Sequence, residues 1–97
     1  MTAQQHQLLL AIMGMPGRDW TTVAELADAL QIRHHAAVGL VDRCVRARLV
    51  ARSRNPEDRR QVQVALTRRG AAILARLSDR NRRELSALRH ALALPFV

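Results

Sequence analysis

The segment from Arg54 to Gly70 places two carboxylates, Glu57 and Asp58, inside a run of arginines and then turns to strand-like alternation. Sixteen basic side chains, all arginine, give the chain a formal charge of +8. A guanidinium is a planar fork matched to phosphate and carboxylate oxygens, so such residues point to binding of polyanions. Their distribution is uneven. Residues 1–32 hold Arg18 against Asp19, Glu25 and Asp28, a net of −2. Residues 33–60 hold eight arginines against Asp42, Glu57 and Asp58, and residues 61–97 hold seven against Asp79 and Glu84, a net of +5 each. The acidic first third is therefore not the polyanion-facing surface. One-sided basic charge reads as a nucleic-acid footprint, because cationic side chains release counterions condensed on phosphates. On charge alone, a soluble domain with a basic bias is an equal alternative.

Other chemistries find little support. The chain has no glycine-rich phosphate loop, no nucleophile turn and no metal-ligand pair, and its eight acids are scattered among arginines, which argues against an enzyme. No cofactor is expected. Cys44 is alone, which excludes an intrachain disulfide and a cysteine-based metal cluster and fits a cytoplasmic protein. Its place on an inward stripe favours a packed, inert thiol over a redox sensor. His34 and His35 are adjacent and diverge by about 100° on a helix, so they form no metal pair by themselves. His6 and His90 are isolated, and no metal is expected. There is no apolar run near the length of a membrane span and no secretion signal, so neither insertion nor export is indicated.

The elements that must position these residues follow from periodicity. Ninety-seven residues make one domain that buries about two thirds of its unfolded surface. Thr2 and Gln5 have the form of a capping box, followed by Leu8, Leu9, Ile12 and Met15 at helical spacing until Gly14, Pro16 and Gly17 end the segment. A short extended piece, Trp20–Thr22, leads to a second capping box, Thr22 with Glu25. There Val23, Leu26, Ala27 and Leu30 mark one face of a short helix. Trp20 is read as packing rather than as a base-stacking platform, since no second aromatic is near.

A third helix is expected over Arg33–Arg46, with Ala37, Leu40, Val41 and Cys44 inward. The opposite face then presents His35, Gly39, Asp42 and Arg46, flanked by Arg43. Leu49–Arg54 and Arg60–Leu66 are strand candidates joined by a turn at Asn55–Asp58. Val62, Val64 and Leu66 alternate with Gln61, Gln63 and Ala65, as in a hairpin with one wet face. Thr67 can cap a last helix with Ile73, Leu74 and Leu77 inward. Ser78 to Glu84 contains no apolar residue, and Asn81 interrupts the stripe before Leu85, Leu88 and Leu92 resume it and Pro95 stops it. A continuous helix over 68–93 would span about 40 Å and leave the body of a domain this size.

Helix, strand, two helices and a ribbon, with basic charge on the third helix and the ribbon, give a mainly α fold with a small β-hairpin: a winged helix-turn-helix. A B-form major groove admits one helix, and a ribbon can follow the backbone to the adjacent minor groove. The motifs Thr22–Ala27, Gly39–Arg43, Leu49–Arg52, Pro56–Arg60 and Leu66–Gly70 resemble, in order and spacing, those of the MarR family of bacterial transcriptional regulators. The resemblance implies that Thr22–Leu30 is the positioning helix, Ile32–Ala47 the recognition helix and Arg54–Gln61 the wing. It also implies that Arg60 enters the minor groove while Asp58 holds its guanidinium. Physically, a carboxylate taking two donors of the fork would aim the others, and a narrow minor groove attracts arginine. A solvated turn with an exposed ion pair is the plainer alternative.

On this reading double-stranded DNA is contacted by Arg33, His34, His35, Gly39, Arg43, Arg46, Arg52, Arg54, Arg59 and Arg60, with Asp58 positioning the wing. Residues 1–77 form the DNA-binding domain, and residues 78–97 a C-terminal helical extension. Family members usually carry a longer N-terminal helix, whereas only Met1 precedes the first cap here. The chain is then either a trimmed relative that forms a homodimer through Leu85, Leu88 and Leu92 with Phe96, or a monomer. A small-molecule effector site is left open. Two further departures are Arg33-His-His-Ala36 where relatives often carry small hydroxyl residues, and Arg48 in place of the usual turn glycine. The rival function is a winged-helix module that docks an acidic protein, which fold alone does not exclude.

Overall fold

The computed structural model describes residues 1–77 and Asp79. Helix α1 spans Ala3–Met13. Its capping box is complete: Thr2 Oγ1 accepts from the Gln5 N–H at 3.1 Å and Gln5 Oε1 accepts from the Thr2 N–H at 2.9 Å. Leu8, Leu9 and Ile12 are buried, while Met15 lies past the helix end at Gly14. Strand β1 is Trp20–Thr21 and helix α2 is Val23–Leu30, capped by Thr22, whose Oγ1 accepts from the Glu25 N–H at 3.2 Å. The second expected capping box is modified. The Glu25 carboxylate accepts from the Thr22 hydroxyl at 3.1 Å and from Arg18, leaving the main-chain half of the box unmade.

Helix α3 spans His34–Arg46, with Arg33 as its N-cap rather than its first turn. Both α2 and α3 end in a left-handed residue without using glycine. Gln31 has φ 54°, with Ile32 N–H donating to Ala27 O at 3.0 Å and Gln31 N–H to Asp28 O at 3.2 Å. Arg48 has φ 61°, with Leu49 N–H donating to Cys44 O at 2.9 Å and Arg48 N–H to Val45 O at 3.0 Å. This is the Schellman pattern twice. In the second copy the motif's apolar contact is supplied by Leu49 and Cys44, both buried.

Strands β2, Val50–Arg54, and β3, Val62–Leu66, are shorter than the alternation suggests, and they form a three-stranded antiparallel sheet with β1 in the order β1-β3-β2. Because β3 is central, Val64 pairs with both Thr21 and Arg52, and Gln61, Gln63 and Ala65 are half-buried rather than wet. Beyond Val50 every residue of β2 is exposed, so the hairpin projects from the body as a wing. One core unites the elements: Leu8, Leu9 and Ile12 of α1, Leu26 of α2, Leu40, Val41 and Cys44 of α3, then Leu49, Val50, Val64 and Leu74. Thr21 is buried among them, and its Oγ1 has no hydrogen-bond partner among the described residues.

Residues 68–77 are helical (α4). Thr67 caps this helix by accepting from the Gly70 N–H at 2.9 Å and also donates to Arg48 O at 2.6 Å, which fixes the helix start against the end of α3. Leu74 is buried, with Ile73 and Leu77 half-buried. The expectations for the apolar gap, Asn81 and the contact leucines Leu85, Leu88 and Leu92 lie outside the described residues. The architecture is a winged helix-turn-helix.

Candidate nucleic-acid interface

The inward stripe of α3 is Ala37, Leu40, Val41 and Cys44, all buried, and this fixes which residues face outward. Arg33, His34, His35, Arg43 and Arg46 are exposed, while Gly39 and Asp42 are half-buried. Burial pushes the Cys44 thiol pKa up, against the opposing charge of Arg43, as suits an unreactive packed side chain. A Cβ on Gly39 would lie 3.6 Å from Arg43 Nη1, so Arg43 folds back along the helix over the bare glycine. Periodicity did not single out Val38, which is 37% exposed at the edge of this polar face.

The wing is closed at its base by Asn55 and Gln61. Their main chains pair at 3.1 Å, and Asn55 Nδ2 donates to Gln61 Oε1 at 2.7 Å. Within the loop, Asn55 Oδ1 accepts from the Glu57 N–H at 2.9 Å, and Arg54 Nη1 donates to Arg59 O at 2.9 Å. Arg60 lies in this loop and not on a strand. Asp58 does touch Arg60, but Oδ1 accepts from the Arg60 backbone N–H at 3.1 Å. The expected ion pair with the guanidinium is not formed: Asp58 and Arg60 take no part in the Arg18–Glu25 and Arg52–Asp42 pairs of the described residues. A short carboxylate reaches the N–H two residues on more readily than a mobile exposed fork, which is the geometry of an Asx turn.

Arg52, at the start of the wing, donates to the carboxylate of Asp42 on the outward face of α3. The sequence held a hint of this. Asp42 is the lone acid on a cationic face, and an acid in that field needs a partner. The two are ten residues apart on different elements, and no spacing rule pairs them. The link joins the exposed face of α3 to the wing as one surface. Thr22, Val23 and Ala24 at the start of α2, His34 at the start of α3, and Arg60, Gln61 and Val62 at the base of the wing line an open cleft.

A second network sets α2. The Arg18 guanidinium lies 4.4 Å from the centroid of the Trp20 ring and pairs with Glu25 in the first turn of α2. Arg18 holds the Glu25 carboxyl below the usual carboxylate range, against the opposing pull of burial and with help from Thr22. Trp20 thus packs locally, as its isolation suggested. Among the described residues no group of side chains could hold a metal ion, and no helix is long and apolar enough to cross a membrane.

The profile of the MarR family matches residues 1–61, from the first helix through the tip of the wing. The chain belongs to the MarR family. Among solved structures, RV1404 from Mycobacterium tuberculosis is 28% identical with a TM-score of 0.85, over 93% of this chain and 59% of that one. A mutant MarR from E. coli, solved in complex with operator DNA, is 36% identical with a TM-score of 0.70, over 78% of this chain and 52% of its own. BpsR from Bordetella bronchiseptica, whose DNA binding is regulated by 6-hydroxynicotinic acid, is 25% identical with a TM-score of 0.73, over 90% and 60%. This MarR-family chain therefore spans between 52% and 60% of the length of these relatives. No curated protein matches it.

Proposed function

We propose that the chain binds double-stranded DNA sequence-specifically as a transcriptional regulator, with α3 in the major groove and the wing at the adjacent minor groove. The observation that carries this reading is the Asp42–Arg52 ion pair, which joins the cationic face of α3 to the wing. Arg33, His34, His35, Arg43 and Arg46 on the helix and Arg54, Arg59 and Arg60 on the wing are all exposed. An extended phosphate backbone needs such an array, and the base edges of a major groove are met by the first turns of one helix. The likeness to MarR solved on operator DNA supports the same reading. No step of bond making is assigned to these residues.

Two copies would bind a pseudo-palindrome with half-sites about 34 Å apart. Anisotropy titrations against duplexes enriched from a random-sequence pool, at several salt concentrations, test the reading. Affinity falls steeply as salt rises, because each neutralised phosphate releases counterions. Failure to bind any duplex at low salt would overturn it.

A further inference from the structure

With α3 in the major groove and the wing in the neighbouring minor groove, the sugar-phosphate strand that separates the two grooves has to pass between helix and wing. The open cleft lined by Thr22, Val23, Ala24, His34, Arg60, Gln61 and Val62 lies there. We infer that this cleft seats a backbone phosphodiester and that His34 enters the complex as an imidazolium, so that DNA binding takes up a proton at His34. The inference rests on the DNA-binding reading and deepens it.

Three features of the cleft agree. The amides of the first turn of α3 lack a side-chain acceptor, since its N-cap, Arg33, makes no capping bond and that turn contains no acid. An anion entering the cleft would meet those donors. Arg60 closes the wing side, with its guanidinium in neither of the ion pairs of the described residues. Besides His34, the titratable or charged side chain lining the cleft is Arg60 on the wing, whose backbone N–H is held by the Asp58 carboxylate. Arg33 and His35 flank His34 on its own helix, while Thr22, Val23 and Ala24 give the α2 side no charge. The first-turn acid of α2, Glu25, is engaged by Arg18 and Thr22. A phosphate in the cleft places an anion beside His34, and an imidazole that gains an anionic partner binds its proton more tightly.

The test uses the full chain and a fluorescent duplex enriched by the protein from a random-sequence pool, titrated at fixed salt near pH 8 and near pH 6. Affinity rises roughly three- to tenfold toward the lower pH, as a proton held about one unit more tightly requires. His34→Gln, which keeps a hydrogen-bonding side chain but cannot titrate, flattens this dependence, whereas His35→Gln preserves it. Calorimetry in two buffers of different protonation enthalpy registers the uptake directly. An affinity independent of pH in the unmodified chain, or a dependence that survives His34→Gln, would overturn the inference while leaving DNA binding intact. A chain that binds no duplex at either pH would instead remove the DNA-binding reading itself.

Discussion

Asp42, on the outward face of α3, is ion-paired with Arg52 at the start of the wing, so helix and hairpin are coupled on their solvent side rather than through the core alone. The side chains are 43% and 38% exposed, so the pair adds no more than about 1 kcal/mol to stability. Its value lies in orientation. Asp42→Ala should leave the melting temperature nearly unchanged, raise affinity for scrambled duplex by removing a negative charge, and lower the ratio of specific to non-specific binding. Titrations against an enriched duplex and its scrambled form decide the matter. Specific binding that tightens as much as non-specific binding would mean that the acid only repels phosphate.

Asp58 acts on the wing through the main chain, since its carboxylate accepts the Arg60 backbone N–H. A neutral acceptor suffices for that bond. Asp58→Asn should therefore retain most of the DNA affinity, whereas Asp58→Ala should lose part of it and Arg60→Ala should lose about tenfold. If Asn fails as badly as Ala, the carboxylate's charge on the Arg60 guanidinium is what matters in the complex.

The contrast between Asp42 and Asp58 shows what was legible beforehand. The helices, their caps and the inward stripe of α3 follow local rules of period and end chemistry, and the residues Ala37, Leu40, Val41 and Cys44 obey them. The turn at Asn55 is local as well. Pairings across elements are not. Nothing in the spacing of Trp20–Thr21 shows that it adds a third strand beside β3, which is why Gln63 and Ala65 are less exposed than a two-stranded ribbon would leave them. Nor does spacing place Arg60 opposite His34, because a cleft between a helix start and a hairpin base depends on how α2, α3 and the sheet pack.

Leu49 sits between two backbone constraints with opposite consequences for substitution. Before it, Arg48 holds φ 61°, a conformation that costs a side chain about 1–2 kcal/mol. Arg48→Gly should raise stability by up to about 1 kcal/mol, glycine's greater unfolded-state freedom offsetting the rest. Across from it, Gly70 approaches so closely that an added Cβ would lie 2.0 Å from Leu49 O. The obstacle is main chain, bonded to the Thr67 N–H at 3.1 Å, and cannot swing aside. Gly70→Ala should cost about 3 kcal/mol or more. Urea unfolding of both variants measures the two signs, and equal effects would mean that α4 can slide away from Leu49.

Glu25 supplies a pH signature for the Arg18 network. Its carboxyl titrates below the usual carboxylate range in the folded chain, chiefly because Arg18 donates to it. A group whose folded pKa is depressed adds stability that is fully present above its unfolded pKa and is lost as pH falls through the folded one. The contribution should therefore be constant at neutral pH and decline progressively once the pH falls below about 4. Glu25→Gln should lower the melting temperature at pH 7 by a small amount, since the pair is partly exposed to solvent. The two proteins should then converge as the buffer is made acidic. A gap that persists after the carboxyl has been protonated in the folded chain would place the effect of the substitution in the Thr22 cap, which a neutral amide also perturbs, rather than in the charge held by Arg18.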